Sequence, residues 1–163
     1  MTFLRRFQPI VYVRLAPEQL SVREVRSGRT ITEPPLAAIS RGPKKELLGV
    51  GEAARAAAAT RGADLVNPFA HPRTLISDFT VGEQVLKGFV KKLFAGRPFA
   101  ASPVMILHPK IDPEGGFTEI ERRALREMGL GAGAAEVYLC LEKRDLADSE
   151  LLELRSDSAG ITP

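Results

Sequence analysis

The chain has 163 residues, a formal net charge of +3, 44% hydrophobic and 26% charged residues, and one cysteine. This size suits one domain, or one domain with a small insertion, and buries roughly 70% of the surface its unfolded form exposes. The mild charge, with no long basic run, argues against nucleic acid. A lone cysteine excludes an internal disulfide or a cysteine zinc cage, and no apolar stretch approaches a membrane span.

In chain order, Pro9 to Val25 is expected to form a β-hairpin. Ile10-Val11-Tyr12-Val13 is β-branched and aromatic, Ala16-Pro17-Glu18-Gln19 is turn-like, and Leu20, Val22 and Val25 resume a strand. Ser27-Gly28 turns into a stretch through Thr30-Ile31-Thr32, and Leu36 to Ser40 and Leu47 to Val50 are further short strands. An alanine-rich helix is predicted from about Glu52 to Arg61, stopped by Gly62. Two more helices are expected behind the capping-box patterns Thr80-Val81-Gly82-Glu83 and Thr118-Glu119-Ile120-Glu121. The first turns Val85, Leu86, Phe89, Val90 and Leu93 to one side; the second turns Ile120, Ala124, Leu125 and Met128 inward. Val104 to Leu107 and Val137 to Leu141 are apolar runs of the kind found in covered central strands, and Cys140 in the second is expected in the core. The order implies an α/β domain with a mixed sheet.

Several stretches resemble the MreB family of bacterial actin-like, rod-shape-determining proteins. Thr32-Glu33-Pro34-Pro35-Leu36-Ala37-Ala38-Ile39 is similar to that family's Asp-Glu-Pro-Ser-Val-Val-Ala-Ile. Val50-Gly51-Glu52-Ala53-Ala54 follows at the family's spacing, and Thr74-Leu75-Ile76-Ser77-Asp78-Phe79 resembles its Gly-Val-Ile-Ala-Asp-Phe. The longest match runs from Glu121-Arg122-Arg123-Ala124-Leu125-Arg126-Glu127 through Gly131-Ala132-Gly133-Ala134 to Glu136-Val137-Tyr138-Leu139. The resemblance implies an actin-like (ribonuclease H-like) half-fold, a mixed sheet with flanking helices. It would comprise residues 8–155 as subdomain IA, with a small IB insertion at roughly 33–75, then a polar tail at 156–163.

The same resemblance marks what differs. Where the family's first hairpin carries Asp-Leu-Gly-Thr-Ala-Asn-Thr to hold phosphates and organise magnesium, this chain reads Arg14-Leu15-Ala16-Pro17-Glu18-Gln19-Leu20. Arg14 reverses the charge of that Asp, Pro17 lacks an amide donor, and Glu18 sets an anion where a phosphate should lie. Glu142, in Leu141-Glu142-Lys143, matches the carboxylate thought to position the attacking water. The second phosphate loop and adenosine pocket belong to the other half of the fold, which the chain is expected to lack.

No catalytic residue, metal ligand or cofactor is therefore expected. His71 and His108, each before a proline, read as loop residues; Gly131-Ala132-Gly133 follows a helix, the wrong order for a phosphate loop. Phe3, Leu4 and Phe7 segregate from Arg5 and Arg6 if residues 1–7 wind as a helix, which makes these five residues candidate membrane contacts. Arg14, Glu18, Lys143 and Arg144 are expected at the surface, with 146–154 folding back as a short helix through Leu146, Leu151 and Leu154. The expectation is a cytoplasmic, non-catalytic protein, peripheral at the inner face of the cell membrane. Its partners would be other proteins: a full-length MreB-like filament or further copies of itself. A divergent or split ATPase completed by another chain, and an adaptor in an unrelated envelope complex, are the rival readings.

Overall fold

In the computed structural model, which describes residues 8–71, 74–97, 101–111 and 113–154, two sheets carry the fold. Strands β1 (Ile10–Leu15), β2 (Leu20–Glu24) and β3 (Thr30–Glu33) form an antiparallel meander. Strands β7 (Val104–Pro109) and β8 (Glu136–Leu139) join β1 in parallel, in the order β3-β2-β1-β7-β8. The smaller sheet is antiparallel, with β4 (Ala37–Ile39) between β5 (Leu47–Val50) and β6 (Asp64–Val66). Helix α1 (Glu52–Arg61) packs on it through Ala54 and Ala57.

Both faces of the central strands β1 and β7 are covered, which is why these two read as apolar runs. Successive side chains of a strand point to opposite faces. Val11, Val13 and Leu15 thus face α2 (Phe79–Leu93) and α3 (Glu119–Gly131), sharing a core with Met105, Leu107, Phe89 and Leu125. Ile10 and Tyr12 face the other way, with Ile106, Cys140 and Leu151 of the short helix α4 (Asp148–Glu153). Gly129 lets α3 lie close on β8, since a Cβ there would sit 2.7 Å from Val137 Cγ2.

The ends of the elements depart from expectation in three places. Helix α2 starts earlier than Thr80: Asp78 caps it, its carboxylate accepting from the Val81 amide at 3.0 Å. An ionised Asp is as good an N-cap as Thr and complements the helix dipole, so the Thr80–Glu83 pattern does not act as a cap. The second pattern forms as read, Glu121 N–H donating to Thr118 Oγ1 at 3.2 Å and Thr118 N–H to Glu121 Oε2 at 2.9 Å. Ile120, expected inward, is 81% exposed, because at 3.6 residues per turn it stands about 140° round α3 from the buried Leu125. Strand β8 ends at Leu139, leaving Leu141 exposed.

A polar junction ties the two sheets together. Lys92 of α2 donates to Glu33 Oε2 at 2.7 Å and to the Val50 carbonyl at 2.8 Å. Glu33 also accepts from the Glu52 amide at 2.8 Å, so the carboxylate closing β3 serves the first turn of α1. Burial raises the Glu33 pKa, but the bonds from Lys92 and Glu52 outweigh it and hold the carboxyl below its ordinary value.

Candidate functional site

The C-terminal ends of the parallel strands β1, β7 and β8 converge on one edge of the large sheet, the usual place for ligands in α/β folds. There the β1–β2 turn meets the segments after β7 and β8. The turn is tight: Ala16 N–H donates to the Gln19 carbonyl at 3.0 Å and Gln19 N–H to the Ala16 carbonyl at 3.3 Å. Pro17 has no amide hydrogen, so Glu18 alone has an amide not used in closing the turn, and that amide stands next to the Glu18 carboxylate. Asn67 Nδ2 donates to the Pro17 carbonyl at 2.7 Å, anchoring the turn to the segment after β6.

Beside the turn, charges neutralise one another. Asp145 accepts from Arg14 at 2.9 Å and pairs with Lys110 at 3.1 Å. The hydrogen bond from Lys110, opposed by partial burial and joined by that from Arg14, keeps the Asp145 carboxyl below its usual range. Lys110 also donates to the Lys143 carbonyl at 3.0 Å. Glu18, Lys143 and Arg144 are exposed as expected; Arg14 is part-exposed, its side chain 41% accessible, and Cys140 is buried. Glu142 is also exposed, on the lip of a depression of about 340 Å³ lined by Lys110, Phe117, Arg122 and Leu141.

Beneath this edge, His108 contradicts its reading as a loop residue. It lies in β7, fully buried, because β7 extends to Pro109 alongside Leu15. Tyr12 and His108 Nδ1 are 2.5 Å apart, and His108 Nε2 lies 2.6 Å from the Glu142 carbonyl. The carbonyl can only accept, so Nε2 carries the proton and Tyr12 donates to Nδ1. The Leu146 amide in turn donates to the Tyr12 oxygen at 3.3 Å. Burial pushes the His108 pKa down, which suits the neutral ring this relay needs. The relay clamps 142–146 onto β1 and β7, and α4 follows with Leu151 buried and Leu146 and Leu154 packed beside it. The polar partners Tyr12 and Glu142 are distant in sequence from His108, so no local pattern could reveal them.

His71 is an exposed loop residue, as read. Gly131, Ala132 and Gly133 end α3 and turn into β8, Gly133 at φ 106°, with no strand before them to make a phosphate loop. Phe3, Leu4, Arg5, Arg6 and Phe7 lie outside the described residues. Among the described residues no cluster of His, Cys, Asp and Glu could hold a metal, and no helix is long and apolar enough to cross a membrane.

A model of the MreB/Mbl protein family matches residues 17–147. The chain belongs to the MreB/Mbl family. Among curated MreB/Mbl relatives, the cell shape-determining protein MreB of Haemophilus influenzae is 34% identical over 121 residues, 72% of this chain and 33% of that protein. Its counterpart in Pasteurella multocida is 34% identical over 127 residues, 77% of this chain and 31% of that one. This MreB-like chain thus spans about a third of the length of those relatives. Its fold is the actin-like one of MreB5 of Spiroplasma citri, solved bound to ADP (TM-score 0.61, 20% identity, 82% of this chain and 38% of that one). The same protein bound to AMPPNP gives a TM-score of 0.59 at 19% identity.

Proposed function

We propose that this MreB-like chain is a non-catalytic structural or regulatory protein that binds cytoskeletal or cell-shape partners, or further copies of itself, through actin-like surfaces. One observation carries the reading. At the β1–β2 turn, two amides are spent on closing the hairpin, Pro17 offers none, and Glu18 places a carboxylate there. A phosphate cradle needs converging amides and positive field, and a magnesium site needs a carboxylate. Arg14 takes the position of that carboxylate and is already paired with Asp145. Glu142 alone would have neither nucleotide nor metal to act upon.

On this reading the described unit is subdomain IA, with the small sheet and α1 as a reduced IB within roughly residues 33–75. The relatives named for determining cell shape make a filament of such proteins the first partner to test, and a heterologous contact could extend, join or cap it. Residues 1–7 would hold the chain loosely at the inner face of the membrane through Phe3, Leu4 and Phe7, with Arg5 and Arg6 toward anionic headgroups. Calorimetry with magnesium and ATP or GTP tests the central point: the expected result is no heat beyond dilution. Saturable micromolar binding, about −8 kcal/mol, would replace this reading with a split ATPase completed by another chain.

A further inference from the structure

Beyond β8 the described chain adds no strand to either sheet, and residues 142–154 are held by polar clamps instead. His108 Nε2 donates to the Glu142 carbonyl and Lys110 to the Lys143 carbonyl. Asp145 pairs with Arg14 and Lys110, the Leu146 amide donates to the Tyr12 oxygen, and Asp148 pairs with Arg23. Under these clamps Leu146, Leu151 and Leu154 lie on Ile10, Tyr12, Ile106 and Cys140. Among the clamping groups His108 alone is both fully buried and of a type that changes charge near neutral pH.

We propose that residues 142–154 form a strap that protonation of His108 releases, uncovering the apolar face beneath it. With a neutral ring every polar atom of the relay has a partner of the right kind. A second proton, on Nδ1, points at the Tyr12 oxygen 2.5 Å away. That oxygen already accepts from Leu146, and the phenol hydrogen, turned aside, loses its acceptor. A buried charge also needs a counter-charge of its own. Lys110 Nζ lies 3.5 Å from Nε2, and Arg14 adds to the repulsion. Asp145 is the anion facing the ring, but Lys110 and Arg14 already share it. Glu142 presents its backbone carbonyl, and burial raises the pKa values of Tyr12 and Cys140, so both stay neutral. Strands β1 and β7 are paired on both edges, so the strap is the element that can leave and let water reach the ring. Its departure breaks no strand pairing.

The closed and open forms hold the proton differently. Burial keeps His108 below its ordinary 6.5 in the closed form, whereas the hydrated ring of the open form returns toward that value. Above it, opening is independent of pH. Below it, opening rises about tenfold per pH unit until the closed ring itself takes up a proton. Bonds from Lys110 and Arg144 hold Asp145 and Glu150 below the ordinary carboxylate range, so those pairs persist while the histidine titrates. The strap does not rest on the proposed partner binding.

Nuclear magnetic resonance on the full chain tests this from about pH 7.5 to about pH 5, across the ordinary histidine range. Hydrogen exchange is read at the Leu151 and Leu154 amides, which bond within α4, and at Val13 and Ile106 in the paired strands. Corrected for intrinsic rates, the two strap amides are expected to be less protected than the strand amides. Their protection is expected to fall about tenfold per pH unit below the ordinary histidine value. His108→Gln is expected to remove that slope, and His71→Gln, at an exposed loop residue, to keep it. The ring gives a second reading that needs no substitution: the His108 ring signals and the strap amide signals are expected to shift with one midpoint. A ring that gains its proton while the strap stays protected overturns the proposal. So does strap protection indifferent to pH, a slope that survives His108→Gln, or strap amides as protected as those of the strands.

Discussion

Gly51 and Glu33 are locked together: a Cβ on Gly51 would lie 2.0 Å from Glu33 Oε2. Gly51 also holds φ 64°, a left-handed conformation in which other side chains are strained. Gly51→Ala should therefore destabilise the fold by about 1–3 kcal/mol from strain alone. It should also displace Glu33 from Lys92 and loosen the two sheets. Urea unfolding read by circular dichroism should show the lowered midpoint, and an unchanged midpoint would mean the junction yields freely.

Tyr12→Phe should cost about 1–3 kcal/mol, because it leaves His108 Nδ1 without its donor and the Leu146 amide without its acceptor. The added effect should be local: hydrogen exchange in 142–154 should accelerate more than in β1 or β7.

Acidification should weaken the fold in two stages. The folded pKa of His108 lies below its ordinary 6.5, so the unfolded chain takes up a proton first as the pH falls through that value. Stability is thus complete above pH 6.5 and declines below it. Glu33 and Asp145 have lowered folded values, so their contributions persist above the ordinary carboxylate range and fade below it. Stability measured across pH for His108→Gln should lose the first stage and keep the second.

Restoring two features of the family's phosphate hairpin, through Arg14→Asp with Ala16→Gly, should not produce nucleotide binding. Pro17 still lacks a donor, and Glu18 still presents a like charge. Calorimetric binding by this double variant would show that Arg14 and Ala16, and not Pro17 or Glu18, had blocked the site.

At the chain's start, Phe3→Glu with Phe7→Glu should abolish co-sedimentation with anionic vesicles, and added salt should weaken binding of the unaltered chain. Sedimentation that ignores both changes would assign membrane contact to another surface.

Strands with two buried faces and one well-capped helix were legible because their signals are local. Ile10 to Val13 and Val104 to Leu107 announce burial by composition, and Thr118 with Glu121 lies within one turn. Strand β6 has three residues, too few for any periodicity to register. Thr80 lost the cap to Asp78, a second acceptable cap two residues earlier whose carboxylate takes the Val81 amide. Ile120 is four residues from Ala124, which made it look inward, yet it stands about 140° round the helix from Leu125, the centre of the face that is buried. At the site, the charges of Arg14 and Glu18 could be read directly, whereas the pairing of Arg14 with Asp145 and of His108 with Tyr12 depends on bringing distant strands together.

The parallel register that sets Ile10 beside Val104 has a consequence for synthesis. Strand β1 leaves the ribosome with β2 and β3 close behind, but its other edge must wait for β7. At roughly 5–20 residues per second, that wait is on the order of five to twenty seconds. Throughout it, Ile10 to Val13 offers unpaired amides and carbonyls along an apolar strand, the kind of edge that recruits other chains. The nascent protein is thus most exposed to mispairing before β7 emerges, and a chaperone acting on it would have to cover the hairpin edge first.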